Sequence, residues 1–297
     1  MLDYKLLAAL AAVVEQGGFE RAAATLALSQ SAVSQRIKLL EARLGQPVLI
    51  RATPPSPTDL GRQLLNHVQQ VRLLERDLKS NVPVLEDGYA ERIRVAINAD
   101  SVATWWVDAI AAFSIEEGIL LDLVVEDQDV GLKRMKAGEV AACLCASERP
   151  VAGARSVSLG AMRYLGLASS TFIDRHFAGG VTADALANAP AIVFGPDDLL
   201  QHRYIASLGG GGSFRHHLCP SSEGFVHMAC AGMGWGLMPE LQVSAELKSG
   251  ALKELVPGLY VDVPLYWHSW RSGGGLLDAI TKRLKEVAAL MLRAPSA

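Results

Sequence analysis

The chain has little cysteine, no long apolar run and only a small excess of one charge sign. Four cysteines occur among 297 residues, at Cys143, Cys145, Cys219 and Cys230, and none forms a CxxC pair. Their neighbours are apolar, so we expect reduced thiols packed in a core rather than a disulfide framework or a zinc site. No apolar run approaches the ~18 residues of a membrane span, and no signal-peptide pattern occurs, so we expect a cytoplasmic protein without membrane contact.

The motifs of the common enzyme classes are also missing. There is no Gly-x-Ser-x-Gly elbow, no His-Glu-x-x-His pair, and no Rossmann or Walker glycine pattern after a strand. The glycines at 209–212 lack a following Lys-Ser/Thr, which favours a flexible loop. His216 and His217 are adjacent and therefore diverge on any regular element, which argues against a metal site with His227. We expect no enzyme, no cofactor and no metal.

Charge is distributed unevenly along the chain. Half of the residues are hydrophobic and a fifth are charged, which predicts a globular protein of two or three domains. The net charge is −3, but residues 1–80 contain ten Lys and Arg against seven Asp and Glu, so they carry +3 and the rest carries −6. A basic head on an acidic body is typical of a nucleic-acid-binding segment joined to a domain that does not bind nucleic acid.

The first 45 residues predict three short helices. Before the Gly17-Gly18 pair, apolar residues recur at helical spacing, at Leu6, Leu10, Val13 and Val14. A second helix is predicted from about Glu20 to Leu26. Ser29 should cap a third helix and Gly45 should end it, with a buried stripe of Val33, Ile37, Leu40 and Leu44. Helix, tight turn and helix is the geometry of a helix-turn-helix.

The opposite face of the third helix carries small polar side chains and a single cation, namely Gln30, Ser31, Ser34, Gln35 and Lys38. No acid occurs between positions 29 and 40. Short hydroxyls and amides can approach base edges in the major groove, where an acidic face would be repelled by phosphates. Arg36 lies nearer the buried stripe and is expected to reach a phosphate. Spacing alone leaves two interpretations open, a DNA-binding helix-turn-helix and a plain helical hairpin.

A rigid loop and a long helix are predicted next. The prolines at 54–57 exclude a helix and favour an extended turn, after which Thr58 should cap the next helix and Asp59 should favour its N-terminal end. That helix has one apolar seam, formed by Leu60, Leu64, Val68, Val71, Leu74 and Leu78. A second copy is the simplest partner for this seam, and packing on its own body is the alternative. Residues 79–88 are predicted to be a hinge.

The remaining sequence alternates between strand and helix patterns. Ile93, Val95 and Ile97 alternate in a strand that turns at 98–101 into an apolar helix, and further strands are predicted within 120–129 and 132–146. This order predicts an α/β domain of two lobes whose cleft, beyond the strand ends, binds a ligand. A helix that starts directly after a strand presents free N–H groups suited to a carboxylate or a phosphate.

Residues 19–51 resemble the N-terminal winged helix-turn-helix of LysR-type transcriptional regulators, whose pattern runs Ala-Ala, Leu, Ser-Gln, Val-Ser, Ile, Leu-Glu, Leu-Gly and a closing Arg. The resemblance implies that bases are faced by Gln30, Ser31, Ser34 and Gln35, and that the DNA backbone is met by Arg36, Lys38 and Arg51. Many family members have Arg-Gln where this chain has Gln35-Arg36, which leaves the base read by Gln35 open. The resemblance also implies operator DNA as partner, a homodimer through the long helix, a homotetramer of dimers, and contact with RNA polymerase.

The body resembles the ArgP/LysG branch of that family, which controls basic-amino-acid export and was first described partly as an inhibitor of chromosome initiation. The matching segments include INADSVATW, VVEDQD, SSEGFV and PGLYVDVPLYWHSW. The resemblance implies a periplasmic-binding-protein-like effector domain crossed near 164–168 and 263–268, lysine or arginine as effector, and an exporter or amino-acid metabolism gene as target. The expected division is a DNA-binding domain at 1–58, a linker at 59–88, lobe I at 89–164 with 267–297, and lobe II at 165–266.

The chemistry of such an effector selects candidate residues at strand ends and helix starts. Asn98 begins the first helix of the body, and donors for a carboxylate are offered by Ser101, Thr104 and Ser222. The cations require carboxylates, for which the candidates are Asp100, Asp127 and Glu223, with helix capping as the alternative role. Trp105 or Trp106 is expected to cover the aliphatic stem. Two rival functions remain, a sequence-tolerant nucleoid or replication-origin binder and an amino-acid-processing enzyme.

Overall fold

A computed structural model gives the fold and describes residues 2–81, 92–125, 131–271 and 274–294. The N-terminal unit contains α1 (Tyr4–Glu15), α2 (Phe19–Thr25), α3 (Gln30–Leu44) and an antiparallel wing of β1 (Leu49–Ile50) and β2 (Ser56–Pro57). The predicted caps are confirmed: the Ser29 hydroxyl accepts from the Ala32 N–H at 3.2 Å, and Gly45 is left-handed at φ 69°. Thr58 accepts from the Gly61 N–H at 3.1 Å at the start of the next helix.

The long helix α4 (Asp59–Asn81) packs on its own chain over its first half. Leu64, Leu65 and Val68 are buried with the core of the N-terminal helices, which agrees with the alternative interpretation for this part of the seam. Farther along, Leu74 is 52% exposed and remains an apolar surface. The hinge predicted at 79–88 is wrong for residues 79–81, which continue α4, and residues 82–88 lie outside the described residues, as does the side chain of Leu78.

The effector domain is built on one seven-stranded sheet, in the order β10 (Lys253–Glu254), β6 (Ala154–Ala168), β11 (Tyr260–Trp270), β5 (Ala142–Cys145), β3 (Arg92–Ile97) and β4 (Leu120–Val125), with β9 (Gly236–Pro239) paired to β6. Lobe I contains the parallel strands β3 (Arg92–Ile97), β4 (Leu120–Val125) and β5 (Ala142–Cys145). Its helices are α5 (Ala99–Ser101), a π-helical segment (Val102–Trp106), α6 (Val107–Glu116), α7 (Gly131–Lys136) and the C-terminal α13 (Gly274–Met291). The predicted α/β class is confirmed.

Lobe II is inserted between two long antiparallel strands, β6 (Ala154–Ala168) and β11 (Tyr260–Trp270), which run through both lobes. Its strands are β7 (Ala191–Val193), β8 (His216–Leu218), β9 (Gly236–Pro239) and β10 (Lys253–Glu254). Its helices are α8 (Ser170–His176), α9 (Ala183–Asn188), α10 (Leu200–Ser207), α11 (Ser222–Cys230) and α12 (Ser244–Ser249). Lobe II is therefore connected to lobe I through these two strands.

The strand pair bends where it passes between the lobes. The register shifts between Leu265 and Tyr266, and the facing Gly160 has φ 121°, a conformation that side chains other than glycine rarely adopt. A Cβ at this glycine would lie 2.7 Å from the Arg293 carbonyl oxygen, so the C-terminal segment also needs the glycine.

The cysteine prediction is half right. Cys143 and Cys145 are buried free thiols in β5, whereas Cys219 and Cys230 are only partly buried. The last two lie before and at the end of α11, a nine-residue helix with one buried face on the surface of lobe II. Among the described residues, no helix is both long and apolar enough to cross a lipid bilayer.

Candidate functional site

The face of α3 opposite its buried stripe is open to solvent. Gln30, Ser31, Gln35 and Lys38 are exposed, and Ser34 and Arg36 are partly exposed, while Val33, Ile37 and Leu40 are buried. Within the described part of the chain, Arg36, Lys38 and Arg51 form no ion pair, whereas Arg43 pairs with Asp3 at 3.3 Å. The cations nearest this face are thus free to meet phosphate.

A cavity of about 250 Å³ lies between the two lobes. Ligand pockets for small molecules typically measure ~300–1,000 Å³, so this one suits a compact ligand. Its polar side chains come from both lobes and from β6, and they are Asn98, Asp100, Ser147, Tyr164, Asp197, Asp198, Arg203, Ser222 and Gln242. Three carboxylates therefore face one guanidinium, which favours a cationic ligand.

Asn98 stands where β3 ends and α5 begins. It occupies the N-cap position with extended backbone, yet its side chain makes no capping hydrogen bond. The residue is 4% exposed, and both the Oδ1 and the Nδ2 atom lack a hydrogen-bond partner among the described residues. An unpaired buried amide is uncommon because it costs about 1–3 kcal/mol. A ligand with one donor and one acceptor would satisfy it.

Asp100 joins the lobes across the cavity. Its Oδ2 accepts a hydrogen bond from the Tyr164 hydroxyl of β6 at 2.7 Å, and its Oδ1 accepts from the Ser222 hydroxyl of α11 at 2.7 Å. The Ser222 Oγ also lies 2.9 Å from Gln242 Oε1. A carboxylate offers about four lone-pair sites, and Asp100 uses at least two of them for these contacts between the lobes.

The loop between β7 and α10 contributes two acids with different surroundings. The Asp198 carboxylate accepts from the backbone N–H groups of Phe194 at 3.1 Å and Leu200 at 3.0 Å, which holds the loop closed. Asp197 is exposed at the cavity and makes no hydrogen bond or ion pair within the described part of the chain. Arg203, in the first turns of α10, is the guanidinium of the cavity.

The remaining predicted effector residues lie elsewhere. Ser101 is fully buried with an unpartnered hydroxyl, and the Thr104 hydroxyl donates to the Asp100 carbonyl at 2.6 Å. Trp105 is fully buried in the main core and does not line the cavity, because the π-helical segment directs it inward. Glu223 is exposed outside the cavity lining. Asp127 lies outside the described residues.

The sequence interpretation missed six polar residues of the cavity, namely Ser147, Tyr164, Asp197, Asp198, Arg203 and Gln242. A signal for two of them existed in residues 191–203. The apolar run AIVF is followed by Gly-Pro and two acids, which is a strand end followed by the start of a helix. The cavity therefore collects residues from segments far apart in sequence.

Two family models match the chain. Residues 4–62 match the bacterial regulatory helix-turn-helix protein of the lysR family, and residues 86–289 match the LysR substrate binding domain. These two ranges coincide with the unit that presents α3 and with the two-lobed domain that encloses the cavity.

Relatives are similar over nearly their whole length. The HTH-type transcriptional regulator ArgP of Pseudomonas fluorescens is 68% identical over 293 residues, covering 98% of this chain and 99% of the relative. The crystal structure of ArgP from Mycobacterium tuberculosis is 37% identical, with a TM-score of 0.86 over 99% of this chain and 100% of that one. Full-length LysG from Corynebacterium glutamicum with bound effector Arg is 32% identical, with a TM-score of 0.76 over 98% and 100%.

These matches cover both units and carry regulator names rather than enzyme names. They agree with a DNA-binding face on α3 and a ligand cavity between two lobes. The chain belongs to the LysR family of helix-turn-helix transcriptional regulators, in its ArgP branch.

Proposed function

We propose that this regulator senses a basic amino acid, lysine or arginine, in the cavity between its lobes and controls an exporter or an amino-acid metabolism gene. The observation that carries the proposal is the cavity lining, in which three carboxylates face one guanidinium beside the unpaired amide of Asn98. Lysine and arginine are the common amino acids with a net positive charge at neutral pH. The arginine bound to the related LysG supports the same ligand class.

The head group of an amino acid matches the lobe I end of the cavity. An α-carboxylate needs donors, which the Asn98 Nδ2 and the backbone N–H groups at the start of α5 offer. An α-ammonium needs acceptors, which the Asn98 Oδ1 and the Asp100 carboxylate offer. The ligand would satisfy an amide that the protein leaves unpaired.

We further propose that α3 reads operator DNA through Gln30, Ser31, Ser34 and Gln35, with Arg36, Lys38 and Arg51 on the phosphates. The exposure of this face and the free state of its cations support the assignment. Such a regulator acts on chromosomal DNA and therefore in the cytoplasm. Because ligand and DNA occupy different units, the effector must act by favouring one arrangement of the assembly over another.

For assembly, we propose a homodimer through the second half of α4, dimers paired into a homotetramer, and contact with RNA polymerase at the promoter. The exposed Leu74 on the apolar seam of α4 supports the dimer. We keep the division into a DNA-binding domain at 1–58, a linker at 59–88 and lobes that divide near 164 and 266.

The test of the effector is a thermal shift of the full-length protein with each of the twenty amino acids. A ligand at 100 times its dissociation constant adds about 2.7 kcal/mol of stability. A shift confined to lysine, arginine or both supports the proposal. If neither lysine nor arginine shifts the melting temperature, the proposal is refuted.

The test of the regulator uses binding to DNA upstream of candidate exporter genes and to random DNA of equal length, with and without arginine. A preference for the upstream DNA that changes with arginine supports the proposal. Equal affinity for both DNAs would favour the sequence-tolerant nucleoid binder, and turnover of the amino acid would favour an enzyme.

A further inference from the structure

We infer that Asp197 is the residue that recognises the side-chain cation of the effector, and thereby sets the preference for cationic over neutral amino acids of the same length. This inference rests on the proposed function, since it requires an amino acid in the cavity between the lobes. It assigns one end of the ligand to each lobe, with the head group at α5 and the side chain at the loop between β7 and α10.

Asp197 is the cavity carboxylate without another role. Asp100 already accepts hydrogen bonds from Tyr164 and Ser222, and Asp198 accepts two backbone N–H groups that hold its loop. Asp197 has no hydrogen bond or ion pair within the described part of the chain, although it lines the cavity beside these residues. An acid held at a cavity wall without a partner is available to a ligand.

The neighbour fixes the position of this acid. Asp198 accepts from the N–H group two residues ahead and from Phe194 behind, so the backbone on both sides of Asp197 is tied to one side chain. Asp198 therefore holds the loop in place, while Asp197 lines the cavity. A ligand that binds a carboxylate already held in position immobilises little additional backbone, so little conformational entropy is lost on binding.

Apolar surface lies next to Asp197. Leu199 lines the cavity while 55% exposed, and the ring of Phe194 lines it from the same loop. A large exposed leucine at a cavity rim suits the aliphatic stem of lysine or arginine, whose polar end reaches beyond it. The loop thus offers a surface for the stem and a charge for the tip.

Burial determines the orientation of the ligand. The lobe I end of the cavity contains the nearly buried Asn98 amide, which offers both a donor and an acceptor and so matches a zwitterionic head group. The lobe II loop is exposed, and its Asp197 matches a single cation. Arg203 lies at the same end, where it would repel the side-chain cation if this orientation holds and would bind the α-carboxylate if the ligand lay in reverse.

The experiment is calorimetric titration of the full-length protein with arginine and with citrulline, which has the same length and no side-chain charge. For Asp197→Asn we expect a loss of about tenfold in arginine affinity and a change below about threefold for citrulline. Asp197→Glu should keep the preference for arginine. Asp174→Asn removes an exposed acid of lobe II outside the cavity lining and should change neither affinity.

Arg203→Ala distinguishes the two orientations. Unchanged or tighter arginine binding supports the inference, and a loss of both arginine and citrulline affinity means that the ligand lies in reverse and overturns it. Equal arginine affinity in Asp197→Asn and the wild type also overturns it, while leaving the proposed function intact. A wild type that binds neither arginine nor lysine removes the proposed function itself.

Discussion

Replacing Asn98 with alanine should make the protein more stable alone and less responsive to its effector. The side chain is 4% exposed, caps no helix, and leaves both amide atoms without a partner among the described residues. An unpaired buried polar group costs about 1–3 kcal/mol, and alanine removes it. Because the residue borders the open cavity, truncation enlarges existing space and creates no sealed void, so we expect a net gain of about 1 kcal/mol.

The gain in stability and the loss of effector response can be measured together by thermal unfolding. In a domain of this size, 1 kcal/mol raises Tm by roughly 2–4 °C. Arginine at 100 times the wild-type dissociation constant should stabilise the wild type by about 2.7 kcal/mol. If the variant binds tenfold more weakly, the same concentration adds only about 1.4 kcal/mol.

Gln201→Ala is the matched control. Gln201 is fully buried outside the cavity lining, and its Nε2 donates to the Ile192 carbonyl at 2.7 Å. Its truncation should lower Tm and leave the arginine response unchanged. The reasoning would be refuted by an Asn98→Ala variant that melts below the wild type and keeps the full arginine shift, because the amide would then be an ordinary structural group.

Three further predictions concern the rest of the chain. On α3, Ser34→Ala should lower the preference for operator over random DNA, while Lys38→Ala should weaken binding to both and reduce the salt slope by about one; equal losses for Ser34→Ala would contradict base reading. Alkylation should label two thiols in the native protein and four in the denatured protein, because Cys143 and Cys145 are fully buried. Hydrogen bonds with the Cys143 thiol and the His268 imidazole of β11 lower the pKa of Cys145 to about 5, but burial should still keep the reagent away from it. Fast labelling of Cys145 in the native protein would contradict this reasoning. Gly138, which has φ 75°, lies against α4, and in Gly138→Ala the added Cβ would be 2.5 Å from the Asn66 backbone nitrogen. Because this clash disrupts the contact between lobe I and α4, arginine should still bind in calorimetry but should no longer change the affinity for operator DNA. A variant whose operator affinity still responds to arginine would show that this contact is not needed for regulation.

The N-terminal unit could be predicted in detail because its determinants are local. The Ser29 cap, the Gly45 end and the buried stripe of α3 depend on residue type and spacing within one helix. The partner of α4 could not be predicted, because an apolar seam indicates that the face is buried but does not identify the surface that packs against it. Leu64 and Val68 turn to the N-terminal core and Leu74 to solvent within one continuous pattern.

The cavity was predictable only where its residues adjoin a strand end. Asn98 and Asp100 follow β3 directly, so the strand-to-helix boundary identified them. Asp197 enters from a loop almost a hundred residues later, and only the insertion of lobe II between β6 and β11 brings it near. Trp105 was assigned to the ligand because it is aromatic and adjacent, but the π-helical segment places it in the core.

Regulation requires that the cavity and the DNA-binding unit be connected through elements that can take two arrangements. The lobes on either side of the cavity are held together by two bent strands and by the hydrogen bonds that Asp100 accepts from Tyr164 of β6 and Ser222 of α11. Lobe I in turn contacts α4, where Asn66 donates to the Lys136 carbonyl at 2.6 Å. A ligand shifts such an equilibrium only by its difference in affinity for the two states. In the proposed orientation, a head group bound to lobe I and a side-chain cation bound to lobe II would supply that difference, because both contacts form together only when the lobes are close.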